Sequence, residues 1–341
     1  MAFGSTLELC LNASGSRVRP DVAAAMAALA RGAAELSDLI AQGPLAGDLA
    51  AERGAVNAAG DGQKELDLVA HDLFVDALRG APVSVVASEE WPEPVALDPA
   101  GTLGVVIDPL DGSANIGLNV SVGTIFGIYA AAAGEPILRP GSWLIAAGFV
   151  VYGPQTSLVV SLGGDVQVFT LDRRAGAFRL TVERVAIPAN TPEYAINASN
   201  YRHWDEGVRA FVDDCIEGAA GPREADFNMR WIASLVADTY RILTRGGVFL
   251  YPADRRRAYA HGRLRLVYEA SPIAFLVERA GGAATDGARR ILDLVPASLH
   301  ERTPLIFGCP ERVACVERYL SGRDSMVERS PLFGRRGLLR A

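Results

Sequence analysis

The chain has 341 residues, which at ~150 residues per domain predicts about two domains. Half of the residues are hydrophobic and 21% are charged, so a sizeable core is expected and wholesale disorder is excluded. Lys plus Arg is 33 against 40 Asp plus Glu, a net charge of −7 that argues against nucleic acid as a partner; Lys64 is the only lysine, and the other 32 basic residues are arginines.

In chain order, the N-terminus (MAFGSTLELCLNASGS) lacks a basic stretch followed by an apolar one, so no signal peptide is expected. Residues 21–42 carry apolar positions at helical spacing behind Pro20 and Asp21. A short helical turn is expected over 48–57, and a helix over 63–79 with Leu66, Val69, Leu73, Phe74, Ala77 and Leu78 on one side. The texture then changes. Val83–Ala87, Leu103–Ile107, Val120–Ala130 and Leu144–Tyr152 read as strands, and 156–168 and 177–185 as hairpin strands with turns at Gly163-Gly164 and 173–176. The proline-bearing Ile187–Pro192 marks a boundary between an N-terminal domain (1–187) and a C-terminal one (188–321). Helices are expected over 205–217, 228–245, 272–280 and 310–320, and strands over 249–251, 264–268 and 305–308. The tail 322–341, rich in arginine with little apolar pattern, is expected to be mobile. Helices, then meandering strands, then alternating helix and strand predict layered α/β packing.

The cysteines (Cys10, Cys215, Cys309, Cys315) form no CxxC, and the histidines (His71, His203, His261, His300) form neither HxH nor HExxH, so neither a disulfide framework nor zinc is expected. The longest apolar run, about 120–133, is interrupted by Ser121, Gly123, Thr124 and Gly127 and falls short of the ~20 residues a membrane span needs. A soluble, cytoplasmic protein is expected.

Carboxylates carry the chemistry. In GVVIDPLDGS (104–113) an apolar run ends in Asp108, with Pro109 expected to end the ladder and a tight turn returning Asp111 beside Asp108. With the Leu110 carbonyl this makes an all-oxygen nest suited to Mg2+ or Mn2+; a bare DPxD reads equally as a solvated turn, and the ten-residue string weighs against that. VSVVASEE (83–90) repeats the arrangement with Glu89 and Glu90. On neighbouring strands of one sheet these tips would meet and repel without cations between them. Asp61 and Asp67 flank Lys64, with a helix cap as the competing reading for Asp61. Glu269 ends an apparent strand ahead of a Pro-initiated helix, and capping alone would also account for it. The backbone N–H groups of Gly112, Ser113 and Ala114 offer a phosphate cradle, and Arg255, Arg256, Arg257, Arg263 and Arg265 lie just before Glu269. Metals, cradle and arginines together point to phosphate-ester hydrolysis, in which paired metals ~3.5–4 Å apart bridge the phosphate.

On these residues the chain resembles class 1 fructose-1,6-bisphosphatases. The likeness is carried by DPLDGSANI (108–116), VSVGTIFGIY (120–129), NASNYRHWD (197–205), LVADTYR (235–241), GGVFLYPAD (246–254) and GRLRLVYEASPIAFLVERAGG (262–282), and it runs from about Asp61 to Tyr319. The resemblance implies a layered αβαβα sugar-phosphatase fold, two or three Mg2+ ions per site with Mn2+ as an alternative, a sugar bisphosphate substrate and a homotetramer built from dimers. It implies Glu89, Asp108, Leu110 (by its carbonyl), Asp111 and Glu269 as metal ligands. Glu90 would help activate the attacking water, with Asp67 in the proton network and Asp61 on a loop closing over the metals. Asp111, Gly112, Ser113 and Ala114 would hold the scissile phosphate. Asn197, Tyr201, Arg230, Tyr251 and Arg263 would hold the other, Arg230 by reaching into a neighbouring subunit.

The chain departs from the family in places. Ala114 stands where Ser is common, Trp231 where Tyr is, and Arg263 where Lys is. Ser16–Asp21 reads SRVRPD in place of a Gly-Thr-Gly-Glu-like AMP loop, and Thr102 and Leu103 replace a Lys and a Tyr of that site, so strong AMP inhibition is not expected. No Cys-rich insertion for a thioredoxin switch is present. The style of 263–287 and the Arg-rich loop are similar to those of enzymes from carbon-fixing bacteria, some of which also accept sedoheptulose 1,7-bisphosphate. The alternatives are preference for that substrate or an inositol phosphate, and a catalytically silent sugar-phosphate sensor; no metal carboxylate is missing, which weighs against the last.

Overall fold

Apolar spacing explains the first long helices. A computed structural model, describing residues 2–13, 18–56, 62–131 and 137–322, opens with α1 (Leu7–Asn12), whose six residues are too few for a legible period. It continues with α2 (Pro20–Gln42), with proline at its first position. A two-stranded ribbon, β1 (Glu52–Val56) and β2 (Gly62–Lys64), leads into α3 (Glu65–Leu78). The helical turn expected over 48–57 is therefore corrected to a strand at Glu52–Val56: Glu52 pairs with Lys64, a partner that local propensity cannot supply. Asp61, Ser16, Arg17 and the tail from 323 onward lie outside the described residues.

The middle of the chain builds one large sheet. Its strands are β3 (Val83–Ser88), β4 (Val95–Ala96), β5 (Leu103–Asp111), β6 (Val122–Ala130), β7 (Leu144–Tyr152), β8 (Thr156–Ser161), β9 (Gln167–Asp172) and β10 (Ala177–Val182), in the order β10-β9-β8-β7-β6-β5-β3-β4. Only β3 and β5 run parallel; the other neighbours are antiparallel. Pro109 does not end the ladder, contrary to expectation. Pairing to β6 is irregular between Asp108 and Asp111 and resumes at Asp111 opposite Gly123, so the missing proline N–H falls inside a bulge.

The second half contributes β11 (Glu193–Ala195), α4 (Glu206–Ile216), β12 (Asn228–Met229), α5 (Leu235–Arg245), β13 (Val248–Tyr251), β14 (Leu264–Arg265), α6 (Ser271–Arg279), β15 (Ala283–Thr285), β16 (Arg302–Thr303), β17 (Leu305–Gly308) and α7 (Pro310–Leu320). A five-stranded sheet runs β12-β11-β13-β17-β15, and β14 pairs with β16 apart from it. Two expectations are corrected here. The helix expected over 228–245 starts only at Leu235, because Asn228–Met229 joins the sheet and Ala233 takes a left-handed φ of 62° that no helix accommodates. The strand expected over 264–268 stops at Arg265, and Leu266–Ala270 form a π-helical turn running into α6.

Period-two alternation explains the layering. β5 is buried along its whole length. Val105 and Ile107 face a core with Leu29 and Phe74 of α2 and α3, while Val106 faces a second core with Val236 and Ile273 of α5 and α6. That second core also takes Phe249 and Phe307 from the five-stranded sheet, whose alternate residues Val248, Leu250 and Ile306 face α4 and α7. The layers are thus helix, sheet, helix, sheet, helix. Gly123 shows how tightly they meet: a Cβ there would lie 2.3 Å from both the Val150 carbonyl oxygen and a Val236 methyl group.

Candidate active site at the tips of the parallel strands

The only parallel pair of the large sheet makes the site. Ser88 lies opposite Ile107, and the Glu89 N–H donates to the Ile107 carbonyl at 3.0 Å, so Glu89 and Asp108 emerge side by side where the parallel pairing ends. Glu269 joins them from the π-helical turn, a distortion often found at functional sites. Oxygens of Glu89, Asp108 and Glu269 all lie within 4.8 Å of one another, and all three residues are buried. Burial pushes the Asp108 carboxyl well up, and the charges of Glu89, Glu269, Asp111 and Glu90 add to the push. Such a nest of mutually repelling carboxylates fits a hard divalent cation.

Each acid has its own support. Asp111 sits beneath the N-terminus of α5, where one carboxylate oxygen accepts from Ser234 Oγ at 3.0 Å and from the Val236 N–H at 3.1 Å. Burial carries Asp111 to about 6, with those donors opposing it. Glu90 is held by Gln63, whose Nε2 donates to its side chain at 2.8 Å and its carbonyl at 2.9 Å. Burial first, then the Glu89 charge, push Glu90 up to about 7. Asp67, in the first turn of α3, accepts from the Lys64 N–H at one oxygen and from Ser113 Oγ at the other, each at 2.8 Å. Arg265 pairs with Glu89 at 2.9 Å, and its N–H donates to Glu269 at 2.5 Å.

Beside the acids, Gly112 takes a left-handed φ of 82° and opens the 3-10 turn Ser113–Asn115, whose leading N–H groups have no partner within the turn. Acids and cradle share one cleft of about 350 Å³, walled by Tyr251, Tyr259, Arg263 and Arg302. Arg263 donates to the Tyr251 hydroxyl at 3.0 Å, and its guanidinium carbon lies 3.8 Å from the Tyr259 ring centroid.

Of the residues expected at the site, this cleft brings together Asp67, Glu89, Glu90, Asp108, Leu110, Asp111, Gly112, Ser113, Ala114, Tyr251, Arg263 and Glu269. Asn197, Tyr201 and Arg230 are not among its lining residues. Asn197 caps the 3-10 turn Ala198–His203, Tyr201 donates to Asp213 at 2.9 Å, and Arg230 is exposed beyond β12. Sequence reasoning missed Gln63, Ser234 and Tyr259, and it gave Arg265 no specific partner. The i,i+4 spacing of Arg265 and Glu269 was the available signal, hidden by reading the segment as a strand, in which those residues stand ~13 Å apart.

Carboxylates gathered over a parallel strand pair, in an αβαβα sandwich, define the sugar-phosphatase class of fold. Family models described as "Fructose-1-6-bisphosphatase, N-terminal domain" and "Fructose-1-6-bisphosphatase, C-terminal domain" match residues 12–183 and 187–321. The chain belongs to the fructose-1,6-bisphosphatase family. Relatives named fructose-1,6-bisphosphatase class 1 include one from Methylorubrum populi, 54% identical with 99% of each chain covered. Another, from Rhodopseudomonas palustris, is 52% identical with both chains covered in full. The crystal structure of Leishmania major fructose-1,6-bisphosphatase in holo form superposes with a TM-score of 0.87 at 31% identity, covering 94% of this chain and all of that one.

Proposed function

We propose that the chain hydrolyses the 1-phosphate of D-fructose 1,6-bisphosphate, giving fructose 6-phosphate and phosphate. The observation that carries this reading is the shared cleft: an acid cluster at one end, the phosphate cradle beside it, and Arg263 on the wall. Glu89, Asp108, Asp111, Glu269 and the Leu110 carbonyl are the residues we assign to Mg2+, two or three ions per site, with Mn2+ as a substitute. Bound there, the ions would supply positive charge to the phosphoryl oxygens.

The remaining roles belong to the chain itself. The N–H groups of Gly112, Ser113 and Ala114 bind the transferring phosphate. Glu90, oriented by Gln63, takes the proton of the attacking water, with Asp67 in that network, and Asp61 is assigned to the loop that closes over the metals. Tyr251 and Arg263 hold the phosphate that stays on, and Asn197, Tyr201 and Arg230 are assigned to the same phosphate. Arg230 is exposed, which suits delivery across a subunit boundary. We therefore infer a homotetramer, a dimer of dimers, with the joint between the two domains at 187/188. Among the described residues no helix is long and apolar enough to cross a membrane. Four unpaired, buried cysteines support a cytoplasmic site of action.

The test is phosphate release from fructose 1,6-bisphosphate, sedoheptulose 1,7-bisphosphate and inositol 1-phosphate, with and without Mg2+. Mg2+-dependent turnover greatest on the first supports the reading. Preference for the second would reassign the substrate, and release from none would leave a sugar-phosphate sensor.

A further inference from the structure

We propose that Lys64 is a positioning residue for the phosphate cradle, and that its place requires an ammonium rather than a guanidinium. The inference rests on the phosphatase reading of the cleft and deepens it.

Two independent observations meet at this residue. The first is composition: 32 of 33 basic residues are arginine, and the single lysine bonds Ser113, a residue of the cleft wall. The second is a closed ring of hydrogen bonds. Lys64 Nζ donates to the Ser113 carbonyl at 2.7 Å. Ser113 Oγ donates to Asp67 Oδ1 at 2.8 Å, and the Lys64 N–H donates to Asp67 Oδ2 at 2.8 Å. The start of α3 is thereby clasped to the cradle turn. The ammonium thus bonds a carbonyl, while Asp67 takes the backbone N–H of the same lysine.

The peptide bond explains why that carbonyl matters. The Ser113 C=O and the Ala114 N–H belong to one trans peptide plane and point in opposite directions. Holding the Ser113 oxygen therefore aims the Ala114 N–H. The same oxygen also accepts the Ile116 N–H at 3.2 Å, so both of its lone pairs are engaged and the plane has little freedom to rotate. Because residue 114 is alanine, this N–H is the only donor it offers a phosphate. A compact ammonium reaches one carbonyl and leaves its positive charge near Asp67. A planar fork of five N–H groups would need acceptors that a single carbonyl does not supply.

The experiment uses full-length wild type, Lys64→Arg, Lys64→Met and Lys64→Cys, the last before and after alkylation with 2-bromoethylamine. That reagent transfers an aminoethyl group to the thiolate with loss of bromide and rebuilds a lysine-like ammonium, while the native cysteines are buried. The readouts are kcat/KM at saturating Mg2+ and calorimetric binding of inorganic phosphate. We expect Lys64→Arg, Lys64→Met and unalkylated Lys64→Cys to lose about tenfold in each, the scale of one charged hydrogen bond. Alkylation should return most of both losses. Wild-type values for Lys64→Arg, or no recovery on alkylation, would overturn the proposal; the alkylation pair isolates the ammonium even where another variant folds poorly. If the wild type released no phosphate from any sugar bisphosphate, the functional reading would fall, and phosphate calorimetry would still test the clasp.

Discussion

At the scale of single residues, the site is assembled against its own electrostatics. Asp111 is carried to about 6 and Glu90 to about 7, chiefly by burial, and Asp238 behind them reaches about 6 for the same first cause. A carboxyl whose folded pKa is raised binds protons more tightly when folded. Its favourable contribution is whole below the unfolded value near 4 and is lost as pH rises through the folded value. Carboxylates depressed by arginine, such as Glu193 beside Arg245 and Arg241, act oppositely and lose their contribution only as pH falls below about 4. The interval from about pH 5 to 7 therefore belongs to the site. Chelator-treated protein should melt roughly 3–6 °C higher at pH 5 than at pH 7 by thermal denaturation, and saturating Mg2+ should flatten that slope. Glu90→Gln keeps the shape and the contact with Gln63 but cannot take a proton. Its turnover should fall about 10²–10⁴-fold with substrate affinity within about twofold; unchanged turnover would remove Glu90 from the proton network.

At the scale of elements, close approach positions the ligands. β6 passes α5 with no room for a Cβ at residue 123, and α5 in turn presents Ser234 and the Val236 N–H to Asp111. Gly123→Ala should cost at least about 3 kcal/mol in urea unfolding, because one of the colliding atoms is a backbone oxygen that cannot swing aside. It should also weaken Mg2+ activation by displacing the helix that supports Asp111. Another element-level contact joins the start of α2 to the residue preceding β5: Thr102 donates to Asp21 at 2.6 Å, and Arg19 pairs with the same carboxylate. The sequence carries no expectation of strong AMP inhibition here, and the Asp21 carboxyl at this place is held low by Arg19 and Thr102 against the opposing effect of burial. Inhibition assays with AMP should accordingly show little effect at concentrations that saturate susceptible relatives.

Over the whole molecule, the central helical layer belongs to both halves. α5 and α6 lie in the second half of the chain, yet they bury Ile125 and Phe149 of the large sheet on one side and Phe249 and Phe307 of the smaller sheet on the other. A fragment ending at residue 187 would expose the inner face of the eight-stranded sheet. It should aggregate or bind a hydrophobic dye when expressed alone, and the intact chain should unfold in one calorimetric transition. Two separate transitions would show that the boundary at 187/188 divides independent folding units.

What could be read along the chain is what repeats locally. Continuous β-rich apolar runs marked Leu103–Ile107 and Leu144–Tyr152, the period of 3.6 marked residues 21–42, and the abrupt arrival of Asp108, Asp111, Glu89 and Glu90 after apolar runs marked the chemistry. The errors fall where a partner distant in sequence overrode local preference. Glu52–Val56 became a strand by pairing with Gly62–Lys64, Pro109 was absorbed in a bulge against β6, and 228–234 left its helix to join a sheet and cap α5. Gln63 on Glu90, Arg265 on Glu89, and Lys64 on Ser113 are invisible to any pattern, because each bond joins groups brought together only by three-dimensional packing. Residue order alone thus determined which acids this protein owns and which strands would carry Glu89, Asp108 and Asp111. The folded chain decided their separations, their charges and the side chains that aim them, since burial and distance are properties of the packed layers and not of the string.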